Sequence, residues 1–437
     1  MRMDIIGAGI LAAVLLLGAG CPNGDDDDAN ADDTVADDDD ATSGAAPIVY
    51  FVVHADPADL QSIKSHDAAC SDFDQGDGRW DRLVDLMDAV DARNAARPED
   101  AQHRITLMFT PGWAALLATS PCATQAQARL AGWVQAGHEI ALHSHSQTHV
   151  FRDGYSNEPA WVRDDRDGGA GPSDCVDAPA PQAPDPAWLQ TCSIDRGLAD
   201  LEAALEAATG SPYDIRWGRI GPEGNSTDPE DPNPHATSCT VAGTTLPAGQ
   251  ECAHREWVGD VAARVDHTTL AYPVDHCGRD AVGALHGVAA CRDWGDGGSL
   301  FGIPHAPLRT ESGELRVSIE RLADDLRRAD GDLVGVVVHP NSYTSEAFVD
   351  RTFCSDPYEV ADRRAYIDAV FDLFDGEAIS LGGGSLASNA AAGEPCDCTV
   401  APQISSLSLD ALSGAVTSVT LSEARAAWIA AGGADCD

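Results

Sequence analysis

Beyond position 46, apolar positions fall into short dense runs separated by longer amphipathic stretches. Ile48-Val-Tyr-Phe-Val-Val53 is β-branched and aromatic, has strand length, and ends in His54-Ala55-Asp56-Pro57, which predicts a buried first strand. Alternating units follow: a helix from about Arg79 to Ala96, a strand over Arg104 to Thr110, a helix from about Ala123 to Ala136, and a strand from His138 to Leu142. Farther along, Leu198 to Ala208 reads as a helix stopped by Gly210, and Tyr213 to Ile220 as extended. Leu300 to Pro304, Val334 to His339 and Ala378 to Leu381 read as strands, with helices near Leu315 to Ala329 and Val360 to Phe374. Strands alternating with helices over this length imply an α/β domain at 47–392 with a parallel sheet under covering helices, either a barrel or a doubly wound sheet.

Three segments break the alternation, roughly Arg152 to Cys192, Pro222 to Cys252 and Val274 to Gly298. Each is rich in Pro, Gly and Asp and carries cysteines, which predicts long surface loops rimming the active face if strand ends form it. After Gly393 the chain holds Cys396, Cys398 and Cys436 and one helix near Leu421 to Ala431, expected as a small C-terminal appendage at 393–437 without visible chemistry. At the other end, Arg2 precedes an apolar run from Ile5 to Leu17 that exits through Leu-Gly-Ala-Gly into Cys21. That pattern predicts a cleaved signal peptide at 1–20, since the run is too short to span a bilayer comfortably. Gly18, Ala19 and Gly20 resemble a bacterial lipobox, with Gly18 where a larger aliphatic residue is usual, so a lipidated Cys21 is the expected membrane attachment. Residues 21–46 hold Asp, Ala, Gly and Thr without apolar periodicity and should be an acidic flexible tether. Pro22 leaves no aspartate signal for inner-membrane retention, which points to the outer membrane of a cell envelope.

The formal charge of −44 argues against nucleic acid or an anionic membrane surface as partner, because both repel such a chain. Ten of the acids lie in the tether, and the rest are spread through a body whose single lysine is Lys64. Setting Cys21 aside from the thirteen cysteines leaves twelve, an even number without repeated Cys-x-x-Cys pairs. Disulfides that staple the loop insertions are therefore expected, for example Cys175 with Cys192 and Cys239 with Cys252, although spacing alone does not fix connectivity.

The chemistry concentrates in Gly137-His-Glu-Ile-Ala-Leu-His143-Ser-His145-Ser-Gln-Thr-His149, where four histidines fall within twelve residues directly after a strand. His145 and His149 are four apart, so one helical turn brings both imidazoles to one side, a spacing that a divalent metal can bridge. His143 could take part from an extended segment, whereas His138 is read as structural. A hydrolytic metal normally takes a third protein ligand. Asp56, at the carboxyl end of the first strand where parallel sheets gather functional residues, is the candidate, with His54 two positions earlier on the same side.

At this point the chain resembles the polysaccharide deacetylases, the NodB-homology enzymes of carbohydrate esterase family four. The phrase from Gly137 to His149 resembles the family's histidine motif, and Asp56 matches its metal-binding aspartate. Ala208-Thr-Gly210 followed by Ile215-Arg216-Trp-Gly-Arg219-Ile-Gly221 resembles the helix end and arginine motif, Leu300 to Pro304 an intervening strand, and Val337-Val-His339 the late strand ending in a catalytic histidine. The likeness runs from about Ile48 to Gly384 and implies a distorted (β/α) barrel. The implied activity is metal-dependent removal of acyl groups, usually N-acetyl, from a polysaccharide, most simply by a monomer. The implied ligands to a divalent ion, zinc first among candidates, are Asp56, His145 and His149, with His143 as the alternative to His145. His339 would protonate the leaving amine, and Arg216, with Arg219 as alternate, would orient the base.

The family's motif has two consecutive aspartates, and here the first position is Ala55, so the usual general base is missing. His54 can accept a proton near neutral pH, and Asp275 or Asp293 from an insertion are the alternatives. A glycan- or metal-binding lipoprotein of the same fold with little turnover is the main rival reading, and a lipoprotein whose histidines are structural is the second.

Overall fold

The computed structural model describes residues 46–55, 79–119, 123–144, 155, 190–192, 194–220, 239–241, 244–246, 267–271, 286–287, 290–293, 299–307, 314–328, 333–340, 343, 363–381 and 407–434. All lie in the compact unit Gly44–Asp437. The segment expected as signal peptide, that expected as tether up to residue 45, most cysteines and much of the three insertions lie outside the described residues. Among the described residues no helix is long and apolar enough to cross a membrane.

The chain opens with β1 (Ile48–Ala55), α1 (Arg79–Asn94), β2 (Thr106–Phe109), α2 (Trp113–Thr119), α3 (Ala123–Gln135), β3 (Glu139–Ser144), α4 (Ile194–Thr209) and β4 (Trp217–Ile220). A short hairpin, β5 (Cys239–Val241) and β6 (Thr244–Leu246), precedes β7 (His267–Ala271), β8 (His286–Gly287), β9 (Ala290–Asp293) and β10 (Ser299–Pro307). Then come α5 (Glu314–Arg328), β11 (Leu333–Val338), α6 (Arg363–Phe374), β12 (Ile379–Leu381), β13 (Leu407–Leu409), β14 (Ser418–Val419) and α7 (Leu421–Ala430).

The parallel strands run in the order β1-β2-β3-β4-β7-β10-β11, and β11 pairs back onto β1 with Ile48 opposite Leu333 and Val53 opposite Val338. That last pairing curls the sheet into a ring and decides against the doubly wound alternative. The ring is distorted at one seam. There β10 and β11 meet only through Ala306 with Val336 and Pro307 with Val337, while the start of β11 pairs antiparallel with β8.

Side chains alternate about the ring as strand geometry requires. Tyr50, Val52, Met108, Ala141, Trp217, Phe301, Ile303, Leu333 and Val337 form an inner core. The intervening Val49, Phe51, Val53, Leu107, Phe109, Ile140, Leu142, Val334, Val336 and Val338 pack outward against the helices in a larger one. Burial on both faces explains why β1 and β11 read as unbroken apolar runs in the sequence. Inside the ring, the Tyr50 ring fills the space where a β-carbon on Gly335 would fall. Gly335→Ala is therefore expected to destabilise the protein by about 3 kcal/mol or more through overpacking, read as a lowered urea midpoint. An unchanged midpoint would show that the inner core has slack.

Several features differ from expectation, among them the helix α2 and the β5–β6 hairpin inside the segment from Pro222 to Cys252. β7 was not foreseen, because His267-Thr-Thr-Leu-Ala271 is short and half polar, yet it joins β4 to β10 and completes the ring. The stretch from Val274 to Gly298, expected as loop, contains β8 and β9, and β9 pairs antiparallel with the start of β10. The described part of the C-terminal segment packs closely on the ring. β14 pairs with β1 through Val49 and Tyr50, and α7 sets Leu421 and Ala424 into the inner core from the amino-terminal end of the strands.

α7 begins with a capping box in which the Thr420 hydroxyl accepts from the Glu423 amide and the Glu423 carboxylate accepts from the Thr420 amide. Polar groups complete the floor: the Leu421 amide donates to Thr106 Oγ1 at 3.0 Å, and Trp217 Nε1 donates to Ser422 Oγ at 3.0 Å. Glu139 accepts from Thr106 Oγ1 at 3.1 Å and from the amide and hydroxyl of Ser422. Burial pushes the Glu139 carboxyl up, and the Ser422 and Thr106 hydrogen bonds oppose that shift.

A second polar knot ties this segment to the helix layer. His103 is fully buried, its Nδ1 accepts the Ser418 amide at 3.2 Å, and its Nε2 therefore carries the proton that faces Asp375 at 3.2 Å. Arg93 and Arg97 converge on the same Asp375. Burial first, and then the charges of Arg97 and Arg93, hold His103 down at about 3. An unfolded chain protonates this imidazole below about 6.5, whereas the folded one stays neutral until about 3. The contribution of neutral His103 is thus fully present above about pH 6.5 and is lost as pH falls towards 3, at up to about 1.4 kcal/mol per pH unit. His103→Gln should flatten the acid limb of a stability-against-pH curve by about one proton. An unaltered slope would contradict this assignment.

Candidate active site

Three histidines meet at the carboxyl ends of the ring strands. His54 is the last but one residue of β1, His143 the last but one of β3, and His339 follows the final residue of β11. They continue the inward rows of Tyr50 and Val52, of Ala141, and of Val337, which is why they face the ring's mouth while their neighbours face the helices. The His54 and His143 rings stack with centroids 4.2 Å apart and planes 19° from parallel. His339 stands edge-on to His54 at 5.4 Å and 83°. His54 and His143 are almost completely buried, at 1% and 2% exposure, and His339 is partly open to solvent. Solvent therefore reaches the cluster from the His339 side.

The surrounding framework holds these strand ends in place. Trp113 Nε1 donates to the Ala55 carbonyl at 3.1 Å, which pins the end of β1, and the Trp113 amide donates to the Thr110 carbonyl at 3.1 Å. Beyond His339, the Tyr343 amide closes a turn on the Pro340 carbonyl at 2.8 Å, and the Tyr343 hydroxyl donates to Asp368 on α6 at 3.0 Å. The Arg364 guanidinium lies 4.6 Å from the Tyr343 ring centroid, and burial together with the nearby Asp368 charge pushes the phenol up. Sequence reasoning missed Trp113 and Tyr343 because their partners lie far along the chain, where no local spacing announces them.

The remaining candidates divide clearly. His138 is buried, and its Nδ1 accepts the Ile105 amide at 3.0 Å, which is a structural role. Arg216 is not brought to the histidines. It precedes β4 at the amino-terminal end of the ring, where it is exposed and paired with Asp214 at 2.6 Å. Arg219 stands at the register position opposite His143. Asp293 pairs in register with Ser299, the first residue of β10, and so belongs to the end opposite the mouth. Asp56, His145, His149 and Asp275 lie outside the described residues. Among the described residues no group of three or more metal-ligating side chains is disposed to hold an ion. The near-parallel stacking of His54 and His143 accounts for part of this, because stacked rings direct their lone pairs along parallel planes and not to a common point. Ala55 is buried with Phe109 and Trp113 in the outer core.

No family model matches the chain, and no curated protein matches it. Among solved structures, it is similar to one described as a "putative polysaccharide deacetylase" from Mycobacterium smegmatis, at 14% identity and a TM-score of 0.31. That similarity covers 69% of this chain and 79% of the other.

Proposed function

We propose that this protein is a metal-dependent hydrolase that removes acyl groups, N-acetyl first among them, from an envelope or extracellular polysaccharide. The observation that carries the reading is the meeting of His54, His143 and His339 at the carboxyl ends of three parallel strands in a ring. That is where such sheets gather their chemistry. In this reading His143 joins Asp56 and one or both of His145 and His149 as ligands of a divalent ion, most simply zinc. Such an ion, when bound, polarises the acyl carbonyl and acidifies a water molecule.

The chain's own groups do the rest. His54, buried beneath the mouth, accepts the proton of the attacking water, taking the place of the aspartate that Ala55 lacks. His339, partly open to solvent, delivers a proton to the leaving amine. Arg219 orients the base, and Arg216, paired with Asp214 at the other end of the strand, has no part. The lipidated Cys21 and the tether would hold this body at the outer membrane with the mouth free to reach glycan.

The test is metal analysis of the purified full chain followed by acetate release from tetra-N-acetylchitotetraose. Metal with release supports the proposal. Metal without release supports the rival reading, a binding protein of low turnover, which the Ala55 substitution favours. A protein that holds no metal is left with histidines of structural use only.

A further inference from the structure

Thr110 is completely buried, and its hydroxyl has no hydrogen-bond partner among the described residues. It directly follows the last residue of β2. Thr106 and Met108, four and two positions earlier in the same alternation, both face the ring interior: Thr106 bonds to the floor, and Met108 belongs to the inner core. Phe109 pairs with Ala55 on one side and Leu142 on the other, so the next position on β2 stands level with His143 on β3. The turn that follows is fixed by the Trp113 amide on the Thr110 carbonyl. A Cβ on Gly197 would strike Pro111 and Tyr155, so the segment is also packed tightly against α4.

A buried hydroxyl without a partner lowers stability relative to an apolar group of the same shape, so its presence calls for an acceptor that arrives from outside. We infer that Thr110 contacts the ligand in the histidine-lined mouth, where its hydroxyl donates a hydrogen bond to the acyl carbonyl oxygen of an N-acylated sugar. This rests on the deacylation reading above. It adds a group to the site that neither the histidine phrase nor the arginine motif contains.

The experiment compares wild type, Thr110→Val and Thr110→Ser in the full chain, measuring thermal unfolding without ligand and turnover of tetra-N-acetylchitotetraose. Valine keeps the branched shape and removes only the hydroxyl. The expected result is an unfolding temperature equal to or above that of wild type together with about a tenfold loss in kcat/KM. Thr110→Ser should restore most of the activity. A lowered unfolding temperature for Thr110→Val would show that the hydroxyl serves the fold and would overturn the inference. Equal kcat/KM in an active protein overturns the Thr110 assignment alone, and a wild type inert towards this probe overturns both the assignment and the deacylation reading.

Discussion

Replacing His143 by glutamine is expected to lower acetate release by about a thousandfold and to reduce bound zinc, while the protein still unfolds cooperatively. The expectation follows from position. His143 lies at the end of β3, nearly fully buried and stacked on His54, and it makes no part of either apolar core. Glutamine keeps much of the volume and some hydrogen-bonding capacity, so the loss should fall on chemistry more than on packing. His54→Gln should behave differently, with turnover down by about 10²- to 10⁴-fold and metal content unchanged, because a proton acceptor is lost and a ligand is not. Parallel zinc analysis and initial-rate measurements separate the two. Full zinc in His143→Gln would remove His143 from the ligand set, and undiminished turnover in His54→Gln would leave the base elsewhere.

The second large effect concerns the opposite end of the ring. Leu421→Asp is expected to destabilise the protein by more than about 4 kcal/mol, enough to abolish cooperative unfolding at ordinary temperature. Leu421 is fully buried among the inner-core residues, so a carboxylate there would be desolvated beside the Glu139 carboxylate that already accepts from Thr106 and Ser422. Deleting residues 407–437 should do the same, since Trp217 Nε1, Thr106 and the Arg104 and Glu423 pair lose partners together. Near-ultraviolet circular dichroism reports the outcome through the buried tryptophans. A native-like spectrum for either variant would show that the ring closes without its floor.

The contrast between these two ends shows how far the sequence could be read. Strands buried on both faces announce themselves, and β1 and β11 were legible because helices and inner core bury alternate residues and leave the runs Ile48–Val53 and Leu333–Val338 without a polar side chain except the Tyr50 phenol. β7 and β14 were not, because short strands rich in threonine and serine owe their place to neighbours already in register. In the site, the residue types and the order of His54, His143 and His339 could be seen, but their stacking could not. That geometry depends on the ring bringing strands distant in sequence to one rim. Arg216 and Arg219 show the same limit on a smaller scale. Both fit a motif, yet three residues along the chain separate Arg216, which precedes β4 at the floor, from Arg219, whose register position lies opposite His143.

The pairing of β1 with β11 and of Val49 with Ser418 bears on how the chain reaches this state. The first strand made can pair early with β2, but its other edge waits for β11, and its Val49–Tyr50 stretch for β14, until almost the entire polypeptide has been synthesised. Such long-range closure is slow, and an exposed apolar strand invites association with other chains in the meantime. Yield from recombinant expression should therefore depend more on a holdase that shelters the nascent amino-terminal segment than on any change around the histidines.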